Sequence, residues 1–296
     1  MRVILLLLFL SFSQLSFSQK LLTNSDSLSL KRVLITSIGY GATASSSIIA
    51  LNSIWYNDYE KTPLHSFDDS KNWLQVDKIG HAYTAYHLNE VIAKSFRWSG
   101  VKVKSAAWLG AGYAWGYQFA IEILDGKSSG WGFSWSDLAA NSAGCALYLG
   151  QELGFKKQLV QFKFSYKNSG LSHYRPNILG SNFQERLLKD YNAQTYWLSF
   201  SPAEAFKINH FPKWLNLAVG YSAHNKIIGD EELFITQDGQ TLHSSREFIL
   251  SLDINTRLLP IKRKWLKALV SPLNVVKIPM PALLWRGNVF YGKLIY

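Results

Sequence analysis

Phe248-Ile249-Leu250-Ser251-Leu252-Asp253-Ile254-Asn255 alternates. Phe248, Leu250, Leu252 and Ile254 occupy one parity, and Ile249, Ser251, Asp253 and Asn255 the other. A period of two is the pattern of a half-buried strand. Tyr196-Trp197-Leu198-Ser199-Phe200, Trp214 to Tyr221, and Val289 to Tyr296 read the same way, and Asp238-Gly239 marks a turn. Four such segments are too few for the smallest outer-membrane barrel, which needs about eight strands, so a small antiparallel sheet packed on the rest of the chain is expected. Before about Phe162 the texture differs. From Lys31 to about Phe155 the chain reads as helices. Val33 to Tyr56 carries no charge and is rich in Ser, Gly and Ala, which let helices approach closely. Further apolar runs extend from Ser105 to Ile121 and from Leu138 to Gln151. The expected class is α+β: a small-residue-rich helical bundle, either membrane-embedded or lying on a membrane, then the sheet.

Between the last two strands, Ile261, Trp265, Leu266, Leu269, Val270 and Leu273 fall at helical spacing. Lys262, Arg263, Lys264 and Lys267 are interspersed. This is a basic amphipathic segment suited to a membrane interface, or a core-facing helix with a solvated basic face. Pro272 breaks or kinks it.

Met1-Arg2, the apolar run Val3 to Leu10 and the serine-rich stretch to Ser18 have the form of a secretory signal peptide cleaved before Gln19. The expected organisation is a signal peptide at 1–18, a linker at 19–30, a helical domain at 31–155 and a β-rich region at 156–296. The expected location is the cell envelope, in the periplasm or at the outer membrane. The one cysteine, Cys145, stands in an apolar stretch. It excludes an intrachain disulfide and a Cys/His structural zinc site, and no cysteine follows the signal to take a lipid. Charged residues make up 17% of the 296, below the usual quarter, and the net charge is +11, or +10 without Arg2. In the envelope that balance favours anionic lipid or lipopolysaccharide head groups as partners. No nucleic-acid motif is present.

The chemistry-bearing residues lie between Asp77 and Asn141. Asp77 and His81, Gln118 and Glu122, and Asp137 and Asn141 are pairs four apart, so each pair shares one helix face. An unpartnered buried carboxylate costs several kcal/mol, roughly, so such groups face one another or a cavity. If the three faces meet, His81 lies among Asp77, Glu122 and Asp137, with Asn141 beside them. Clustered carboxylates raise one another's pKa, and such a set serves as general acid and base. It also suits a divalent cation, held by oxygens and one imidazole. Each residue has a plainer role open to it. Asp77 suits an N-cap, Ser134 with Asp137 has the spacing of a capping box, and Asp125-Gly126 suits a helix stop with glycine in the left-handed conformation. His81 alone suits a core histidine. Glu122 closes a long uncharged run with no cap to form.

Asp77-Lys78-x-Gly80-His81, Glu122-x-x-Asp125-Gly126 and Gly132-x-Ser134-x-x-Asp137-x-x-x-Asn141-x-x-Gly144 together resemble the YfiM-like family of predicted periplasmic lipoproteins, whose function is unknown. The resemblance covers roughly residues 31–155. A looser similarity is to VanZ-like membrane proteins. The second half, with Tyr174-Arg175-Pro176-Asn177 and Lys189-Asp190-Tyr191-Asn192, resembles the extension of longer members from Bacteroidetes-type bacteria. The family implies location more than chemistry. The functions in competition are a membrane-associated envelope protein with a structural or lipid-interacting role, and a membrane-associated hydrolase or transferase. The second would act on a lipid-linked or glycan substrate through the His and carboxylate groups. No Gly-x-Ser-x-Gly elbow, His-Glu-x-x-His or phosphate loop is present.

Overall fold

The computed structural model describes residues 24–25, 27–56 and 59–296. The expected signal peptide lies outside them. The chain divides into two compact units. One comprises the described residues up to Ser70 with His81–Gln158, and the other Lys71–Gly80 with Leu159–Tyr296.

The first unit is helical: α1 (Leu30–Leu51), most of α2 (Val76–Trp98), α3 (Val103–Asp125) and α4 (Trp135–Phe155). The first apolar run lies in α1 and the π-helical turn Asn52–Tyr56 after it, and the other two lie in α3 and α4. Ser29 caps α1 by accepting from the Arg32 N–H, and Ser134 caps α4 by accepting from the Asp137 N–H. Two glycines set the spacing of α2. At Gly110 an added Cβ would stand 2.5 Å from Asn89 Oδ1, and at Gly144 it would strike the Ala82 carbonyl oxygen. Small residues act as packing at these two positions, whereas an added Cβ at Gly39 or Gly41 of α1 would meet nothing within 4 Å. α1 is joined to its neighbours by hydroxyls: Tyr40 to Ser95 at 2.7 Å, Thr36 to Ser99 at 3.2 Å and Ser47 to Tyr117 at 3.0 Å. Its one buried residue is Thr36, while Leu34, Ile35, Ile38 and Ile49 face outward.

The second unit is built on a six-stranded antiparallel sheet. In chain order its strands are β1 (Val160–Tyr166), β2 (Gln194–Phe200), β3 (Leu215–His224), β6 (Ser245–Ile254), β7 (Ala282–Arg286) and β8 (Val289–Lys293), and in space they are neighbours in that order. A separate hairpin, β4 (Leu233–Ile235) with β5 (Thr241–His243), closes around the expected Asp238-Gly239 turn, where Gly239 takes φ +81°. The class is α+β, as expected.

Two sheet strands, β1 and β7, escape the sequence reading. Lys163 disguises β1, because the alternation makes a lysine a core residue there. It is fully buried and pairs with the equally buried Asp253 at 2.6 Å. A further finding is which face turns inward. In β6 the buried parity is Glu247, Ile249, Ser251 and Asp253, and the exposed parity includes Phe248, Leu250 and Leu252. The strand is half-buried, but its apolar side faces out. The inner side joins a small apolar cluster of Trp197, Ala218, Ile249, Ala282 and Leu284 to a polar network. In that network Asp253 accepts from Ser199 at 2.6 Å, and Ser199 accepts from Asn216 at 2.9 Å.

The basic segment forms a short helix, Lys264–Val270, and then a 3-10 turn, Ser271–Val275, with Pro272 at the change. Trp265, Leu269 and Leu273 are exposed, which rules out the core-facing alternative.

Candidate functional site

Three helices of the first unit supply the site. α2 brings His81, α3 brings Gln118 and Glu122, and α4 brings Asp137 and Asn141. The pairs at spacing four stack on one face of each helix, as a 3.6-residue period requires. Glu122, Gln118, Asp137 and Asn141 are buried, while the His81 side chain is 25% exposed and forms the open edge. Its Nδ1 lies 3.2 Å from Asn141 Oδ1 and 3.7 Å from Glu122 Oε1, and its Nε2 lies 3.8 Å from Asp137 Oδ2. The imidazole thus stands between two carboxylates, one at each ring nitrogen.

The mouth of α4 is fixed by local chemistry. The Ser134 N–H donates to Glu122 Oε2 at 3.4 Å, and the Ser134 hydroxyl donates to Asp69 at 2.6 Å while accepting from the Asp137 N–H at 3.0 Å. Ser136 also donates to Asp69, at 2.7 Å. Asp69 is absent from the sequence reading, since no spacing rule links it to residue 134. The loop that carries it is pinned because the His65 N–H donates to the Gly126 carbonyl and the His65 carbonyl accepts from the Phe133 N–H.

The plainer roles divide. Ser134 does cap α4, yet the Asp137 carboxylate points to His81, so capping does not exhaust that motif. Asp125 ends α3 and accepts from the Tyr56 hydroxyl at 2.6 Å. Gly126 is not in the left-handed conformation, since its φ is −64°. Glycine is needed there for room, as a Cβ would come 2.6 Å from Leu64 Cδ1 and 2.9 Å from Phe133 Cβ. Asp77 lies one turn before His81 on α2, and its carboxylate accepts from the Tyr191 hydroxyl at 2.6 Å and from Lys78 at 3.1 Å.

Burial pushes the Glu122 carboxyl up to about 8; Asp137 and Asp125 add to the rise, and His81 and the Ser134 N–H oppose it. Three buried polar atoms of the site, Glu122 Oε1, Asn141 Nδ2 and Gln118 Nε2, have no hydrogen-bond partner. Such atoms are rare in folded proteins and mark strain, catalysis or an absent ligand or water. The arrangement can pass a proton from one side of the imidazole to the other. One cation cannot bind His81 with both flanking carboxylates, because these face opposite ring nitrogens. Within this unit a cation at Nε2 would take His81 and Asp137.

No curated protein and no solved structure matches the chain significantly. A family model does match, and its segment contains every residue of the site just described; it begins later than residue 31 and gives no support to the looser VanZ-like similarity. Over residues 66–150 the chain is similar to the family described as predicted periplasmic lipoprotein (DUF2279), whose function is unknown.

Proposed function

We propose that this envelope protein works at a membrane, in a structural or lipid-interacting role. One observation carries the reading. α1 has 22 residues and is uncharged after Arg32, so it is long and apolar enough to cross a membrane, and it turns Leu30, Leu34, Ile35, Ile38 and Ile49 outward. It is the one such helix among the described residues. Lys262, Arg263, Lys264 and Lys267, beside exposed Trp265 and Leu269, supply a second, electrostatic attachment to anionic lipid or lipopolysaccharide. Flotation of the whole chain with phosphatidylglycerol vesicles tests this. Binding is expected, with loss in an Ile35→Glu, Ile38→Glu variant. Neutralising the four cations should weaken binding and remove its salt dependence. A chain that stays at the bottom of the gradient at low salt would sink the proposal.

A second reading, a hydrolase or transferase acting on a lipid-linked or glycan substrate, is favoured by the placing of His81 between buried Glu122 and Asp137. In it His81 and Glu122 exchange the proton, and Asp137 and Asn141 orient the ring. Replacing His81→Gln and Glu122→Gln separates site from scaffold. Folded protein with a lost cellular phenotype supports chemistry, whereas folded protein with an intact phenotype rules it out.

A further inference from the structure

The outward face of the sheet is ordered in rows. Antiparallel register sets Phe164, Tyr196, Tyr221, Phe248, Trp285 and Phe290 opposite one another across all six strands. Phe164 and Tyr196 are buried and Tyr221 is half-buried, donating its hydroxyl to the Leu74 carbonyl, while Phe248, Trp285 and Phe290 are exposed. Their rings touch in sequence: Tyr221 to Phe248 at 5.3 Å, Phe248 to Trp285 at 5.6 Å and Trp285 to Phe290 at 6.0 Å between centroids. The next row on the same face holds Leu198, Val219, Leu250 and Leu283, and the one after it Phe200, Leu217 and Leu252. On the other side of the aromatic row β6 presents exposed Arg246, whose guanidinium also donates to Gln75 Oε1 at 2.8 Å. Along one strand the order is therefore cation, aromatic, aliphatic, aliphatic.

That order says what covers the face. A protein partner needs no graded sequence of chemistries, but a lipid leaflet imposes one: charge at the phosphates, aromatic rings at the interface, aliphatic side chains among the acyl chains. The inner face is complementary, since it buries the Lys163–Asp253 pair and the Ser199–Asn216 network where an aqueous protein would place its grease. The sheet does not cross the bilayer. Its order runs from β1 to β8 without closing, and open edges are not tolerated in hydrocarbon. The apolar stretch from Phe248 to Ile254 is roughly 20 Å long, short of the roughly 30 Å core.

We infer that the exposed part of this face beds in the acyl region of one leaflet, with Phe248, Trp285 and Phe290 at the interface and Arg246 at the phosphates. The inference rests on the membrane reading above but uses a different surface from α1. The test places a polarity-sensitive fluorophore on single cysteines at Leu250→Cys, Val219→Cys and, as an exposed control, Asn177→Cys, each in a Cys145→Ala chain. Leu250 and Val219 are already 49% and 57% exposed, so neither change opens a core. With phosphatidylglycerol vesicles, the two sheet probes are expected to shift to the blue and to be quenched by spin-labelled acyl chains, and the control to do neither. Flotation with unshifted sheet probes would overturn the inference and leave the membrane reading intact. No flotation would end both. A blue shift that appears without lipid and grows with protein concentration would assign the face to a second copy of the chain and overturn the inference.

Discussion

Glu122 is 1% exposed and its carboxyl is raised to about 8, so the folded state holds its proton more tightly than the unfolded chain does. The sign follows from linkage. A raised folded pKa contributes stability that is present in full below the ordinary value of 4.5 and is lost as pH climbs to about 8. Chemical denaturation of the whole chain at pH 5 and pH 8.5 should therefore show a decline that Glu122→Gln flattens, because the amide is neutral throughout. An equal decline in the variant would assign the pH dependence to other groups. The face shared by Glu122 and Gln118 was legible because helical spacing alone determines it, and the same holds for Asp137 with Asn141. The Asp69–Ser134 bond was not, because it depends on the path of a loop.

Glycines within helices look alike in a sequence and differ in a fold. A Cβ at Gly144 would run into the Ala82 backbone, while one at Gly112 would meet nothing within 4 Å. Gly144→Ala must push α2 from α4 and should cost about 1–3 kcal/mol or more. Gly112→Ala should instead stabilise α3 by up to about 1 kcal/mol through helix propensity. Thermal melts of the two variants measure both, and equal effects would refute the close approach at Ala82. At this scale four of the sheet strands, the turn at Asp238-Gly239 and the break at Pro272 were readable, since alternation, turn chemistry and a missing N–H are local. β1 was hidden by Lys163, whose partner Asp253 is 90 residues away in sequence.

Across the whole molecule, composition and tertiary structure speak to different matters. Low charge content, a net charge of +11 and apolar runs of helical and alternating period come from the order of residues alone. They determined the α+β class, and the sequence alone carries the similarity to the family model over residues 66–150. A period of two says that a strand has two unlike faces, but not which is turned inward. That is decided by what the neighbouring strands place opposite each position: Lys163 opposite Trp197 and Asn216 opposite Asp253 made the polar parity of β6 the interior. Likewise spacing placed an imidazole and several carboxylates on helix faces. Only the packing of α2 against α3 and α4 set His81 between Glu122 and Asp137, because no local period carries the distance between one helix and the next.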